Sequence, residues 1–479
     1  MWPGRRPGGT ATAHRTVYER RAPDPRLVSR SLAGTRQAVF WLEDSTTAAY
    51  PSLTADTTAD LTVVGGGYCG LWTAVLAKRR DPSARVVLLE AQRVGWAASG
   101  RNGGFCEASL THGEENGRRR WPEEYDELTR LGRANLDGLD KDVRDLGIDA
   151  QLERTGMLSV AVEPHQVEWI RGSAGFLDRE AVRREVDSPV LLAGDWERED
   201  CALVHPGRLA HGLARAAAEL GVEVHEHTTV TALEAAGPGP VRVRTSGGTV
   251  TSDRVALATN VFPSLLRRTR LMTVPVYDYV LMTEPLTAEQ RASIGWENRQ
   301  GLGDLANQFH YSRLTADGRV LWGGYDAVYH RGRRVRASYE HRPETFRRLA
   351  SHFLTAFPQL EGVRFSHRWA GAIDTSTQFA AFHGLAARGR VAYAAGFTGL
   401  GVGATRFAAE VMLDRLAGER TERTELEMVR RHPLPFPPEP VAGVGIALTR
   451  WSLDRADHRE GRRNTFLRAL DAAGLGFDS

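Results

Sequence analysis

Residues 61–105 read LTVVGGGYCGLWTAVLAKRRDPSARVVLLEAQRVGWAASGRNGGF, and this stretch decides the fold. Residues 61–64 form a short apolar, β-branched run, which is typical of a buried parallel strand. Gly65, Gly67 and Gly70 then set out G-x-G-x-x-G at the start of a predicted helix. The first glycine permits a sharp turn, the second lets backbone approach a pyrophosphate, and the third lets the helix lie close to the sheet. The spacing therefore predicts a βαβ unit that binds a dinucleotide, with the diphosphate at the helix N-terminus.

An acidic residue stands where this unit needs one. Pro82 ends the predicted helix, and residues 85–89 predict the second strand. Glu90 follows that strand, twenty positions after Gly70. A carboxylate here accepts hydrogen bonds from both hydroxyls of an adenosine ribose and repels a 2′-phosphate. Strand, glycines, helix, second strand and acid come in the required order, which favours dinucleotide binding over a plain βαβ unit.

A second glycine-rich loop, RVGWAASGRNGGF, follows at residues 93–105. It is too rich in glycine and small residues for a core helix, and it suggests backbone pressed against a ligand. A simple NAD-binding domain has no need of such a loop. Its A-S-G-R-N-G-G run resembles the flavin loop of the D-amino-acid oxidase superfamily. The G-G-G-Y-x-G-L-W-T-A run at residues 65–74 resembles the γ-glutamylputrescine oxidoreductase and glycine oxidase type in particular.

A third motif lies near the end of the chain. Residues 391–394 predict a last buried strand, and GFTGLGVG at residues 396–403 leads into a helix predicted over residues 404–416. A glycine loop that opens a helix gathers N–H groups and partial positive charge, which stabilise negative charge on a reduced flavin. The superfamily has a similar G-x-x-G-x-G loop at this place.

The resemblance covers about residues 60–420 and implies an α/β fold with two domains. These are a Rossmann-type FAD-binding domain and, interleaved with it, an α+β substrate domain built on an antiparallel sheet. We assign residues 59–110, 203–268 and 363–420 to the FAD-binding domain, and residues 111–202 and 269–362 to the substrate domain.

The two ends of the chain fall outside this pair of domains. Residues 1–58 are expected to form an N-terminal basic arm and docking segment. Residues 1–36 contain eight arginines but only two acidic residues, Glu19 and Asp24, and this charge excess predicts a mobile arm. Residues 40–42 are apolar and are predicted to pack on the folded domains. Residues 421–479 form a C-terminal extension that is expected to wrap the surface, with a short helix near residues 464–473, and to which we assign no function.

The resemblance implies that FAD is the cofactor and where it binds. Asn260 stands in place of the glycine in the superfamily's A-T-G run, and this departure is mild because asparagine tolerates positive φ. No metal is expected. The implied cofactor contacts are Gly65, Gly66, Gly67, Tyr68, Cys69, Gly70, Glu90, Ala91, Ala98, Ser99, Gly100, Arg101, Asn102, Gly103, Gly104, Val230, Thr259, Asn260, Gly371, Gly396, Gly399, Leu400, Gly401, Val402 and Thr405.

The implied reaction is oxidation of a carbon–nitrogen bond in a small amine or amino acid. Hydride passes to flavin N5, the imine hydrolyses, and O2 (with H2O2 formed) or another acceptor reoxidises the flavin. An aromatic pocket and a neutral hydrogen-bond acceptor suffice for the protein's part, so Tyr279, His310 and Tyr311 are the candidate catalytic residues. The alternation of residues 308–314 does not say which strand face looks inward.

Two departures from the superfamily bear on the flavin. The last cysteine is Cys201, and Arg101 and Asn102 stand where other members place a flavin-linked histidine, so FAD is expected to be non-covalent. Members that react quickly with oxygen often carry a lysine over the flavin, yet Lys78 and Lys141 are the only lysines of this chain. An electron acceptor other than O2 is therefore a live alternative.

Composition excludes several classes of function. A net charge of +3 with 25% charged residues gives no sign of a nucleic-acid or membrane partner. Three cysteines without C-x-x-C spacing argue against a disulfide framework and fit a cytoplasmic protein. The oligomeric state is not predicted.

The rival functions are a flavin monooxygenase, an NAD dehydrogenase and a non-catalytic FAD-binding protein. A flavin monooxygenase would carry a D-G-x-x-S run, which this chain lacks where it is expected. An NAD dehydrogenase would lack the glycine loops that this chain has at Ser99 and Gly399. The third stays open. The substrate stays open among γ-glutamylated diamines, N-methyl amino acids, D-amino acids and a precursor in a specialised pathway.

Overall fold

Two large β-sheets organise the chain, and the computed structural model describes residues 15–235 and 237–476. The first, here called the parallel sheet, has eight strands, and the second, here called the antiparallel sheet, has ten. A small third sheet pairs Phe105–Glu107 with Cys201–Leu203.

The parallel sheet forms around the first apolar run of the sequence. Thr57–Val64 lies between Val86–Leu89 and Thr249–Leu257 and runs parallel to both. Its core residues are fully buried on both faces, as expected for parallel strands. The other strands of this sheet are Glu223–His225, Val391–Ala395, Phe382–Ala386, Val230–Glu234 and Val241–Thr245.

Three helices pack beside the parallel sheet: Tyr68–Arg80, Pro206–Glu219 and Gly401–Ala417. The first can approach its strand only because residue 70 is glycine, since a Cβ there would overlap the carbonyl oxygen of Gly65. Gly418, with φ of 76°, ends the last helix in the left-handed conformation.

The antiparallel sheet holds the second core. Thr273–Thr283 and Phe365–Ser376 are its longest strands and pair over nearly their full length. Val328–Tyr329 also pairs with Thr273–Thr283. In order across the sheet the strands are Arg36–Gln37, Phe365–Ser376, Thr273–Thr283, Val320–Gly324, His310–Leu314, Gly301–Asp304, Met157–Ala161, Ala193–Glu197 and Phe176–Leu177.

Helices cover the antiparallel sheet and connect its strands. Pro343–Ala356 buries Phe346, Leu349 and Phe353 against one sheet face. The remaining α-helices among the described residues are Val17–Arg20, Pro25–Ser31, Phe40–Glu43, Glu114–Arg120, Tyr125–Asp145, Pro164–Ile170, Arg179–Glu185, Ala288–Ile294, Glu422–Glu425, Glu427–Arg430, Val441–Asp457 and Thr465–Ala472.

The predicted fold class is confirmed: a Rossmann-type parallel sheet is interleaved with an α+β part built on an antiparallel sheet. One strand lies elsewhere than assigned. Phe365–Ser376 was placed with the FAD-binding domain, yet it pairs within the antiparallel sheet. Among the described residues, no helix has the length and apolar character needed to cross a bilayer.

The prediction of a mobile basic arm is wrong for residues 15–36. Val17, Tyr18 and Val28 are buried against the antiparallel sheet, and the Tyr18 hydroxyl donates to Asp304 at 2.9 Å. These apolar residues stand between the arginines and dock the segment. Residues 1–14 lie outside the described residues.

The sequence of residues 165–186 also predicts a single helix before Pro189, and this prediction is wrong. The structure has two helices, Pro164–Ile170 and Arg179–Glu185. Gly172 and Gly175 interrupt the helical pattern, and Asp178 caps the second helix by accepting from the Ala181 N–H at 2.8 Å.

Candidate cofactor and substrate site

A cavity of ≈ 1600 Å³ is lined by residues of both large sheets. It exceeds the roughly 300–1,000 Å³ of common small-molecule pockets, so it has room for a dinucleotide and a second ligand. The predicted residues that line it are Gly65, Gly67, Tyr68, Cys69, Glu90, Ala91, Ala98, Ser99, Arg101, Asn102, Gly103, Val230, Thr259, Asn260, Gly371, Gly399, Leu400, Gly401, Val402, Thr405 and Tyr311.

The first two glycine loops meet at this cavity. Gly65 has φ of 113°, which favours glycine, and Gly67 stands at the N-cap of Tyr68–Arg80. The Tyr68 N–H donates to Ser99 Oγ at 2.9 Å, and a Cβ on Gly67 would lie 2.9 Å from the same oxygen. The loops thus form a continuous backbone cradle that a side chain at residue 67 would fill.

Glu90 closes one end of the cradle. Its carboxylate accepts from the Gly66 N–H at 2.7 Å, the Gln92 N–H at 2.8 Å and Trp96 Nε1 at 3.1 Å. Burial raises its pKa above the ordinary value. Oε1 accepts two of these bonds and Oε2 accepts one, so Oε2 keeps a lone pair that can accept from a ribose hydroxyl. Val230 also lines this end of the cavity.

Five of the expected cofactor contacts do not line the cavity: Gly66, Gly70, Gly100, Gly104 and Gly396. Each is close-packed on protein atoms that a Cβ would crowd. These glycines shape the loops, and a direct contact with the cofactor stays a prediction for them.

The third loop presents a helix N-terminus to the same cavity. Gly399 has φ of 94°, and Gly401 starts the helix Gly401–Ala417. Beside it, buried Asp374 accepts from the Gly396 N–H at 2.6 Å and also lines the cavity. Burial raises the pKa of Asp374 to about 7, against the lowering effect of its backbone hydrogen bonds.

A tyrosine and an aspartate of the antiparallel sheet face the cavity together. The Tyr311 hydroxyl donates to the Asp278 carboxylate. Burial is the main cause that raises the pKa of Asp278 to about 6, although the hydrogen bond from Tyr311 opposes it. Burial and the nearby carboxylate raise the pKa of Tyr311 well above its usual value, so the phenol keeps its proton.

This pair lies beside the second glycine loop. A Cβ on Gly103 would stand 2.8 Å from the Tyr311 ring, and the ring of Phe105 meets that of Tyr311 edge-on at 5.6 Å. In the sheet, Asp278 pairs with Gly371, whose Cβ would lie 3.5 Å from Arg101. The two strands therefore present the pair to the loop predicted to hold the flavin.

Tyr279 and His310 do not reach the cavity, and their placement contradicts the direct role predicted for them. Tyr279 donates to the Tyr339 carbonyl at 2.7 Å and packs edge-on against Phe346. His310 lies within hydrogen-bond distance of Asp304 (2.7 Å) and His352 (2.9 Å). Because side chains alternate along a strand, Tyr311 and Asp278 face the cavity while these neighbours face the helix side.

Sequence reasoning missed Asp278, Asp374 and the C-terminal extension. Asp278 stands between two tyrosines whose aromatic character drew attention instead. Residues of Val441–Asp457 line the cavity, so the extension does more than wrap the surface. The one signal in the sequence was a weak helical spacing of its small and apolar residues.

The residues present fit FAD. Asn260 lines the cavity with φ of 49°, as its place in the A-T-G run requires. The helices Tyr68–Arg80 and Gly401–Ala417 both begin at this cavity. The partial positive charge at one N-terminus would suit a diphosphate, and that at the other would suit the negative charge of a reduced flavin. Glu90 suits a ribose, and the glycines at residues 65 and 67 leave the backbone bare for close approach.

Comparisons with known proteins agree with this geometry. The family described as FAD dependent oxidoreductase matches residues 60–415. The chain is 30% identical over 410 residues to gamma-glutamylputrescine oxidoreductase of Escherichia coli K12, covering 81% of this chain and 90% of that protein. It is 25% identical to the probable oxidoreductase OrdL of Haemophilus influenzae, covering 77% of this chain and 85% of that one.

Solved structures share the fold. Glycine oxidase from Geobacillus kaustophilus matches with a TM-score of 0.62 at 21% identity, covering 76% of this chain and 96% of that one. L-proline dehydrogenase from P. horikoshii matches with a TM-score of 0.61 at 18% identity, covering 78% and 95%. At these identities the likeness concerns the fold alone.

Proposed function

The chain belongs to the FAD dependent oxidoreductase family, and from this premise we propose that it oxidises the carbon–nitrogen bond of a small amine or amino acid by hydride transfer to flavin N5. FAD supplies the two-electron acceptor for the carbon–hydrogen bond next to nitrogen. The observation that carries the proposal is the Tyr311–Asp278 pair on the cavity wall, beside the loop at Gly103. The product imine is released to water and hydrolyses.

Asp278 is the proton acceptor for the substrate amine. An ammonium has no lone pair to drive oxidation, so a base must take one proton before the carbon–hydrogen bond breaks. The Asp278 carboxylate takes it, and its raised pKa of about 6 makes it a stronger base than an ordinary carboxylate. Tyr311 fixes the carboxylate through its donated hydrogen bond and forms the aromatic wall with Phe105.

The names of the relatives support an amine as substrate. One is a gamma-glutamylputrescine oxidoreductase, and another, from Bacillus licheniformis at 26% identity, is a glycine oxidase.

The proposed cofactor contacts are the cavity-lining residues among those predicted from the sequence. FAD is held without a covalent bond, so acid precipitation releases its yellow colour. No observation favours a monooxygenase or a non-catalytic flavoprotein.

Anaerobic flavin reduction tests the proposal. The purified holoenzyme is mixed without oxygen with γ-glutamylated diamines, N-methyl amino acids, D-amino acids and simple diamines, and flavin absorbance is followed. Bleaching by an amine, with the matching carbonyl product after hydrolysis, supports it. If no amine bleaches the flavin while dithionite does, oxidation of carbon–nitrogen bonds is the wrong reaction.

A further inference from the structure

The C-terminal extension lies beyond the matched family region and forms part of the cavity wall. The family match ends at residue 415, whereas the helix Val441–Asp457 follows it. Its lining residues repeat at helical spacing, so one face of the helix looks into the cavity. They include Ala442, Gly445, Ile446, Thr449, Arg450 and Leu453.

Two aspartates fix this helix to the substrate side of the cavity. Asp457 accepts from the Asn307 N–H at 2.9 Å and the Gln308 N–H at 3.1 Å. Asp454 accepts from the Gln308 side chain at 3.0 Å. Gln308 comes three residues before Tyr311 in the chain, so the helix docks near the strand that carries Tyr311.

The start of the helix is anchored as well. Glu439 accepts from the Tyr329 hydroxyl and from the Gly332 N–H at 3.1 Å. Tyr329 lies on the strand Val328–Tyr329, which pairs with the strand that carries Asp278. The helix is therefore held at both ends to elements that build the same cavity.

Arg450 is the charged residue on the cavity face of this helix. It is partly buried. Two other arginines line the cavity, but Arg101 pairs with Glu340 at 2.5 Å and Arg133 pairs with Asp200 at 2.7 Å. Across residues 15–235 and 237–476, Arg450 is the cavity-lining arginine that has no ion pair with a protein carboxylate.

We propose that the C-terminal extension completes the substrate site and that Arg450 binds a carboxylate of the substrate at the end remote from the reacting amine. A guanidinium matches a carboxylate with two parallel N–H donors. The amine end of this assignment rests on the proposed function of Asp278. Substrates then carry an amine at one end and a carboxylate at the other, and simple monoamines bind weakly.

Binding of amine-free monocarboxylates tests Arg450 without any turnover. Butanoate, pentanoate and hexanoate are titrated into the holoenzyme in a calorimeter, and the titrations are repeated with the variants Arg450→Ala and Arg450→Lys. Loss of one charge-assisted pair weakens binding of the best monocarboxylate by about 10- to 100-fold in Arg450→Ala. Arg450→Lys keeps the charge and recovers part of the affinity.

Arg455→Ala is the matched control, because Arg455 is exposed on the same helix and stacks on Trp451 away from the cavity. It keeps the wild-type affinity. Equal monocarboxylate binding by wild type and Arg450→Ala, or none by wild type, overturns the inference.

A second measurement separates this inference from the proposed reaction. Anaerobic flavin reduction is compared for 4-aminobutanoate, 5-aminopentanoate and their carboxamides. In wild type the carboxylates are expected to reduce the flavin at lower concentration than their carboxamides. In Arg450→Ala this difference is expected to shrink by the same factor as the affinity measured by calorimetry. Reduction by amines with an unchanged preference in Arg450→Ala rejects the role of Arg450 alone. Failure of every amine to reduce the flavin rejects the proposed reaction, while the calorimetry still decides on Arg450.

Discussion

Tyr311 reaches across the neighbouring strand Val320–Gly324 to hydrogen-bond Asp278, and it can do so because Gly323, its partner on that strand, has no side chain. A Cβ at residue 323 would stand 2.5 Å from the Tyr311 ring and 2.6 Å from its hydroxyl oxygen. The missing side chain at Gly323 therefore leaves room for the Tyr311 ring to lie over the strand Val320–Gly324. The proposed acid–base pair depends on three strands and could not form within a single hairpin.

Asp278→Asn removes the proposed base and is expected to slow anaerobic flavin reduction by about 100-fold, within the range of general base catalysis. Asparagine still accepts the Tyr311 hydrogen bond, so the fold is expected to persist. Asp317→Asn, at an exposed turn, is the control and keeps the wild-type rate. A wild-type rate in Asp278→Asn would refute the base assignment.

The pH dependence of flavin reduction follows from the same carboxyl group. The pKa of Asp278 is raised to about 6, so the group is neutral below that pH and charged above it. The limiting reduction rate of the wild type is expected to rise with pH through about 6 and then level off. Asp278→Asn lacks this step. Stopped-flow traces from pH 5 to 9 measure both profiles, and an identical step in both would assign the titration to another group.

Tyr311→Phe tests positioning of the base. Without the donated hydrogen bond the Asp278 carboxylate is less fixed, and the reduction rate is expected to fall by about 10-fold, a loss like that of one charge-assisted hydrogen bond. Tyr279→Phe is the matched control, because Tyr279 donates to Tyr339 on the helix side of the sheet. The double variant Tyr311→Phe with Asp278→Asn is expected to lose less than the sum of the single losses, since the two residues act as a pair.

Glu90→Gln tests the ribose contact. The amide nitrogen replaces one carboxylate oxygen and so faces either the Gly66 N–H or the Gln92 N–H, donor against donor, and the variant is expected to bind FAD about 10- to 100-fold more weakly than wild type. Fluorescence titration of the apoprotein with FAD measures this loss. Glu180→Gln, whose carboxylate is exposed, serves as the control and keeps its affinity. Equal affinity in Glu90→Gln would remove the ribose assignment.

Reoxidation by air is expected to be slow. Lys78 is held by the Pro82 and Ala84 carbonyls at the end of Tyr68–Arg80, and Lys141 is exposed on Tyr125–Asp145 beside Asp145. Neither lysine of the chain lines the cavity. Reduced enzyme mixed with air-saturated buffer is therefore expected to recover its colour more slowly than with an artificial quinone acceptor. Recovery as fast as turnover would make the protein an oxidase.

The nucleotide half of the site was predictable because its signals are local. Gly65 needs its positive φ, Gly67 and Gly70 need their missing side chains, and Glu90 follows its strand directly. These residues stand at fixed spacing within one stretch of the chain, so they can be recognised without knowledge of tertiary contacts. The fold class followed from the family resemblance that these motifs carry, whereas the role of each cofactor-binding residue stays a prediction.

The substrate half was not predictable in the same way. His310 and Tyr311 are neighbours, and both faces of their strand are buried, so alternation alone does not separate the cavity side from the helix side. The Asp278 carboxylate is held by Tyr311 from a distant segment, and its raised pKa comes from burial, neither of which is visible in the local sequence. The helix Val441–Asp457 follows a proline-rich run and carries weak patterning, so its place over the cavity depends on tertiary contacts through Asp454 and Asp457.

The helix Val441–Asp457 adds no strand to either sheet and contains none of the predicted cofactor contacts. Its inner face is therefore open to change while the nucleotide cradle is left intact. Evolution, or a designer who exchanges the residues on that face, has here a module for altering selectivity without changing any of the predicted cofactor contacts.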